Sequence, residues 1–270
     1  MDNTFSRFVK QYDDEYKFHD IIDHDDTRPL LTNSEGFSFN GFTTMTNDWW
    51  LLSRDAPTPS EKEITYNVPY KQGVEDFSDM DGVRYFDMRE ITYQLICVDP
   101  DYNYRKEKAQ YIKRSLMETG GYHDLNDTDH PGFEWLVKCT SVSIDDSEDD
   151  GTVTATIKFS AYPYAYARSY EGSDIWDEIE FDHWVSQDVK FTGSGTFSIE
   201  NIGSKPVECQ FRVTSNYTVS GDGFSGSLDV TTQNQDTVSF ALPTGKHAYK
   251  CSTDAKDGTI QFLFKREELI

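Results

Sequence analysis

Cysteine is scarce in this chain. There are four in 270 residues, at Cys97, Cys139, Cys209 and Cys251, and none stands in a C-x-x-C spacing. Each sits in a strand-like run such as Leu95-Ile96-Cys97-Val98. They read as small buried apolar side chains, not as a disulfide framework or a zinc site. No window approaches the run of about 18 apolar residues that a membrane-spanning helix needs. The start, Met1-Asp2-Asn3-Thr4-Phe5, has neither a basic flank nor an apolar stretch, so it does not read as a secretory signal. Basic side chains are few: 25 Lys and Arg face 48 Asp and Glu, a net charge of −23. That balance excludes wrapping nucleic acid, which needs cations to displace counterions, and binding an anionic membrane. It is compatible with a surface past which DNA slides without sticking.

What is present is length and aromatic content. A chain of this size buries roughly three quarters of its unfolded surface, and about 150 residues per domain suggests two domains. Phe 18, Tyr 16 and Trp 5 are far more aromatics than a disordered chain carries, and they lean toward strands.

Residues 1–36 stand apart, with nine acids against four bases and little periodicity. Phe5, Phe8, Val9 and Tyr12 fit one face of a short helix; the remainder reads as an extended arm or a partly disordered tail. From Phe37 the pattern changes. Phe37-Ser38-Phe39, Asn40-Gly41 and Phe42 read as a strand and tight turn. Trp49-Trp50-Leu51-Leu52 reads as a buried strand, and Ala56-Pro57-Thr58-Pro59 as an extended link. Residues 64–69 alternate, and so does Arg89–Val98, with Ile91, Tyr93, Leu95 and Cys97 on one face.

One helix is predicted over 105–119, with Ala109, Ile112 and Leu116 as its apolar stripe and Gly120-Gly121 as its stop. Its outer face is expected to carry Arg105, Lys106, Lys108, Lys113 and Arg114, a basic patch on an acidic chain. Such a patch is either a solvated face or a contact for an acidic neighbour. Beyond the helix every run is strand-like: 135–144 and Thr152–Ala161, joined by the acidic loop 145–151, and then 197–199, 208–213, 217–219, 227–230, 237–242 and 259–264. Gly, Asn, Asp and Ser punctuate the later runs at the spacing of a β-sandwich. Tyr162-Pro163-Tyr164-Ala165-Tyr166 is the expected domain boundary.

The motifs that could carry chemistry are weak. Gly221-Asp222-Gly223-Phe224-Ser225-Gly226 matches G-x-G-x-x-G, but a strand, not a helix, is predicted after it, so it reads as a hairpin turn. Three clusters suggest metal ligands: 19–26, the acidic loop 145–150, and His123 with Asp124, Asp127, Asp129 and His130. None has the spacing of a zinc or calcium site, and they read as solvated loops. Asn126-Asp127-Thr128 and Asn216-Tyr217-Thr218 are formal glycosylation sequons, read as chance. No residues are arranged for catalysis, so the chain reads as a non-enzyme without metal or cofactor.

An ordered set of segments carries a family resemblance: Phe39-Asn40-Gly41; Leu52-Ser53-Arg54-Asp55-Ala56-Pro57; Val68-Pro69-Tyr70-Lys71-Gln72-Gly73-Val74-Glu75-Asp76-Phe77-Ser78; and Tyr85-Phe86-Asp87-Met88-Arg89-Glu90-Ile91-Thr92-Tyr93. Over residues 37–166 the chain resembles the N-terminal domain of distal tail proteins (Dit) of long-tailed, non-contractile bacteriophages. That family shows an N-G turn, an R-x-x-P-x-P link, a P-x-x-x-G-x-x-D-x-S segment and an R-x-I/L-x-Y/F strand, then a helix and two strands ending near a Pro-Tyr pair, here Pro163-Tyr164. Residues 1–36 have no counterpart. Residues 167–270 resemble the family's galectin-like or carbohydrate-binding-module-like sandwiches only as a strand-rich domain of fitting length, with no long insertion to form a receptor-binding arm.

The resemblance implies a mainly β fold in three parts: an acidic N-terminal arm (1–36), a β-rich ring-forming belt domain with one helix (37–166) and a C-terminal β-sandwich (167–270). It implies a virion protein of the phage tail tip, made in the host cytoplasm. Its copies would form a hexameric ring joining the tail tube to the tail-associated hub or lysin protein, with DNA passing through and no membrane contact. Receptor-binding proteins or host glycan are further expected partners. The competing reading is a glycan-binding adhesin, in which Trp176 and Trp184 stack on sugar rings instead of packing a core.

Overall fold

The computed structural model of the protein describes residues 35–78, 84–118, 120–172, 185–230 and 238–270. The expected N-terminal arm therefore lies outside the described residues, apart from its last two positions. The larger sheet is antiparallel and forms around two long strands that the sequence marks clearly. Strand β6 (Arg89–Val98) and strand β9 (Thr152–Ala161) pair along their whole length, Arg89 opposite Ala161 and Val98 opposite Thr152. β9 alternates strictly and β6 does so up to Leu95, after which Ile96 is buried as well; Ile91, Tyr93, Leu95 and Cys97 meet Val153, Ala155, Ile157 and Phe159 on the buried face. Strand β8 (Phe133–Ser147) lies beyond β9, with a bulge between Cys139 and Ser141. It runs through the first acids of the expected loop and turns at 148–151, where Gly151 takes φ +60°.

The sheet continues through β7 (His123–Asp127), β1 (Phe37–Phe39) and β2 (Phe42–Thr43) on one side, and β3 (Trp50–Asp55) beside β6 on the other. Asn40 and Gly41 both take positive φ, 44° and 82°, which is the turn the Asn-Gly pair announced. Helix α1 (Tyr102–Met117) packs on β8, β9 and β6 through Ile112 and Leu116. It begins three residues before the expected start because the Asp101 side chain accepts from the Asn103 amide at 2.9 Å and caps it.

The apolar residues fall into two clusters. One joins this sheet to α1. The other, from Val189 to Phe264, is shared by two four-stranded antiparallel sheets. The first has the order β11 (Lys190–Thr192), β18 (Thr259–Leu263), β13 (Val207–Val213), β16 (Ser239–Leu242). The second has the order β12 (Gly195–Asn201), β17 (Gly245–Ser252), β14 (Tyr217–Gly221), β15 (Phe224–Leu228). The G-x-G-x-x-G segment is the tight β14–β15 hairpin, with Gly221 opposite Phe224 and Gly223 at φ +77°.

The passage between the clusters differs from the expected cut near residue 166. Strand β10 (Ala165–Ala167) still pairs with β8, continuing the row of β9. The chain then leaves for the sandwich and comes back: strand β19 (Glu267–Glu268) pairs with β10, and the Arg89 guanidinium donates to the Ile270 carbonyl. The last residues thus complete the first sheet. Two segments cross the junction, and Arg266 sits between them with Glu171 at 3.5 Å and Glu268 at 3.0 Å.

Candidate assembly surfaces

The segment between β3 and β6 leaves the first sheet as a ribbon of its own. Strands β4 (Thr65–Tyr66) and β5 (Glu75–Asp76) pair with each other and form a separate two-stranded sheet. The Phe77 amide donates to the Ile64 carbonyl at 2.8 Å, and the Ile64 amide to Ser78 Oγ at 2.8 Å. The root is tied where the Lys62 amide donates to the Tyr85 carbonyl and the Asp87 amide to the Ser60 carbonyl. Beyond the root the side chains face water. Seven of the fifteen large apolar side chains exposed among the described residues lie in 64–88. Ile64, Tyr66, Val74 and Phe77 are 42–61% exposed, and Tyr70 is fully so. An isolated two-stranded hairpin is marginal in water, and a concentrated apolar patch marks an interaction site. From root to root, residues 60–87 carry seven acids against Lys62, Lys71 and Arg84, so the ribbon shares the acidity of the chain and is distinguished by its apolar side chains, not by its charge.

The basic helix face is smaller than the sequence suggested. Lys106, Lys113 and Arg114 are exposed on α1, and Arg114 reaches Glu118 at 3.7 Å. Lys108 is partly covered and donates to Asp48 at 2.7 Å; this bond and one from the Tyr104 hydroxyl hold the Asp48 carboxyl below its usual range. Arg105 is not on the outer face. Its side chain is 2% exposed, with Nε donating to Asp146 at 2.7 Å and Nη1 to the Asp99 carbonyl at 2.8 Å. The reason is helical geometry: Arg105 lies four residues before Ala109 and heads the same stripe as Ile112 and Leu116. Its i,i+4 relation to the stripe, with an acidic loop elsewhere to receive it, was the signal available in the sequence. Trp176 and Trp184 lie outside the described residues.

Of the acids read as solvated loops, cluster 19–26 lies outside the described residues, and Asp127 and Asp146 prove structural. Asp127 is 2% exposed and anchors a cluster: Arg54 donates to both its oxygens, Tyr93 Oη donates at 2.5 Å, and the Asp129 amide donates at 3.0 Å. Burial, then the neighbouring Asp127 charge, pushes the Tyr93 phenol well up. Asp124 accepts from the Tyr166 hydroxyl, His123 meets Phe39 edge-on, and His130 packs on Trp135. The four thiols are buried and unbridged. Burial pushes Cys97, Cys139 and Cys251 up to about 11 and Cys209 up to about 12, far from the range of a reactive thiolate.

Together these features define a mainly β chain in which a helix-backed sheet carries an unpartnered apolar ribbon and is followed by a two-sheet sandwich. The same fold occurs in a solved phage protein, SPP1 Dit (gp 19.1), described as a paradigm of the hub adsorption apparatus in phages infecting Gram-positive bacteria. The likeness has a TM-score of 0.56 at 12% identity and covers 87% of this chain and 99% of that one. Chains of the phage p2 baseplate in its activated conformation, with Sr and with Ca, align at 10% identity over 83% of this chain and 92% of theirs, with TM-scores of 0.37 and 0.40. No family model and no curated protein matches the sequence.

Proposed function

We propose that this chain is a structural, non-enzymatic protein of a phage tail tip. In this reading its copies form a hexameric ring that joins the tail tube to the hub protein below and leaves a channel for DNA. It is made in the host cytoplasm and works in the virion. The observation that carries the reading is the apolar ribbon. A ring needs heterologous contacts, one surface of each copy against a different surface of the next. Charge opposes self-association of a chain at −23, so the contact needs apolar burial to offset it, and the ribbon concentrates exposed apolar side chains. The Dit-like fold, shared over almost the whole of SPP1 Dit, supports the same reading. Lys106, Lys113 and Arg114 offer a second contact, toward acidic surface on a neighbour.

Light-scattering mass across a concentration series, with negative-stain images, tests this. The expected particle is a ring of six-fold monomer mass with a central hole. Tyr66→Ser with Tyr70→Ser should leave monomer at concentrations where the wild type is assembled. A wild-type chain that stays monomeric at every concentration, with and without tail tube protein, overturns the proposal. Lys113→Glu with Arg114→Glu should weaken assembly in low salt, because exposed charges act over only about 10 Å at 0.1 M. Unchanged assembly would remove the helix from the interface and leave the ribbon.

A further inference from the structure

Beside the junction of the two apolar clusters, away from the ribbon's tip, the surface closes around a crevice of about 540 Å³. Its walls are aromatic. Phe86 and Tyr164 meet edge to face at 5.9 Å, and Tyr85 and Tyr162 line the opening with 49% and 44% of their surfaces exposed. Its polar groups come from the sandwich side and the returning strand: Lys205, in the loop between β12 and β13, lies 2.7 Å from Glu267 and 5.0 Å from the Tyr164 ring centre. At the mouth Arg84 pairs with Glu61 at 2.7 Å. The platform extends past the mouth, because Tyr122 packs on Tyr162 at 5.2 Å.

The charges decide what fits. Both cations lining the crevice already have a carboxylate beside them, so the site is locally neutral. An anionic ligand would gain little there and would meet the repulsion of a chain at −23. A wholly apolar ligand would cover the Lys205–Glu267 pair and replace its water with nothing. A sugar ring avoids both penalties. Its C–H face lies on an aromatic ring, and its hydroxyls both donate and accept, so they bond to the ammonium and the carboxylate together. The volume falls within the range of about 300–1,000 Å³ typical of ligand sites.

We propose that this crevice binds a neutral oligosaccharide, stacked on Tyr85 and Tyr162 and hydrogen-bonded by Lys205 and Glu267. The inference does not rest on ring formation: Tyr85 stands at the ribbon's root, but Tyr162, Lys205 and Glu267 belong neither to the ribbon nor to the basic helix face. The test is a glycan array of neutral and anionic bacterial oligosaccharides probed with the full chain, then calorimetry with the best-bound neutral member. Tyr162→Ala and Lys205→Met should each weaken binding at least tenfold, with scattering mass and unfolding midpoint close to wild type. Three results overturn the proposal. One is that no neutral oligosaccharide binds. Another is that both variants bind as the wild type does, which seats the sugar elsewhere. The third is that tail proteins, and not sugars, are captured in a Tyr162-dependent way, which makes the crevice a protein contact. Loss of assembly with sugar binding intact would count against the ring alone.

Discussion

The helix-backed sheet and the sandwich solve burial in different ways. The sheet and the strand that returns to it bury charge: Arg54 with Asp127, Arg105 with Asp146, Arg266 between Glu171 and Glu268, and Arg89 on the Ile270 carbonyl. In the sandwich, the buried polar residue among those described is Asn201, which donates to the Lys205 and Leu242 carbonyls and accepts from the Gly203 amide. The sandwich interior is otherwise an aromatic ladder in which Phe211 touches Phe224, Phe240 and Phe262 at 5.0–5.2 Å. Buried ion pairs are a poor source of net stability, but losing one partner is costly. Apolar packing is a good source of stability and tolerates rearrangement. The sheet is therefore the region whose geometry is narrowly specified, as the proposed ring contact through its ribbon would require. The sandwich is held by volume.

The comparison breaks first at Asp127. Asp127→Ala leaves the Tyr93 hydroxyl without its acceptor and the Arg54 guanidinium with only the exposed Asp129 carboxylate at 3.4 Å, and should cost about 3 kcal/mol, read by urea unfolding of the full chain. Hydrogen exchange should place the lost protection in β6, β7 and β3, with the sandwich strands unchanged. A cost below about 1 kcal/mol would mean that the cluster behaves as a surface ion pair and that the contrast is false. In the sandwich, Phe211→Leu nearly conserves volume and should cost about 1.5 kcal/mol or less. A cost as large as that of Asp127→Ala would show that the ladder is as narrowly specified as the sheet.

The same contrast explains what could be read in advance. Strands β6 and β9 match the sequence reading residue for residue, because alternation along β9 and over most of β6 fits no helical period. The two-faced helix and the Asn-Gly turn were legible for the same local reason. Strand β7, His-Asp-Leu-Asn-Asp, was not: its composition is that of a loop, and it is a strand because it fills the slot between β1 and β8. Strands β10 and β19 are short, and their pairing joins residues about a hundred positions apart, which no local pattern records. The ribbon's motif residues were visible, but their exposure was not, since a run such as Val68-Pro69-Tyr70 reads the same buried or bare. Arg105 shows the converse error: its charge was read where its helical position should have been.

A smaller effect is expected at Tyr217. Its hydroxyl donates to the Gly258 carbonyl at 2.6 Å from within the sandwich. Tyr217→Phe keeps the ring and loses the bond, and should cost about 1 kcal/mol in urea unfolding. A loss near 3 kcal/mol would give the sandwich a polar keystone of its own and blur the contrast.

The smallest effect lies at the junction and depends on pH. Glu171 shares Arg266 with Glu268 in a buried pocket, so two carboxylates face one guanidinium. Burial, with the Glu268 charge adding to it, raises the Glu171 carboxyl above its ordinary value, although Arg266 and Gln187 pull the other way. The folded chain then holds this proton more tightly than the unfolded chain does. The stability Glu171 contributes is present below the ordinary glutamate range and is lost as pH rises through the raised value. At neutral pH an ionised Glu171 is a burden that Glu171→Gln removes, while Glu268 keeps Arg266 paired. The variant should unfold at a slightly higher temperature than the wild type at pH 7, and the two should converge as pH falls toward the ordinary glutamate range. A variant that unfolds at a lower temperature at pH 7 would mean that Arg266 needs both carboxylates. The junction would then follow the rule of the Asp127 cluster, where a buried charge cannot be withdrawn without loss.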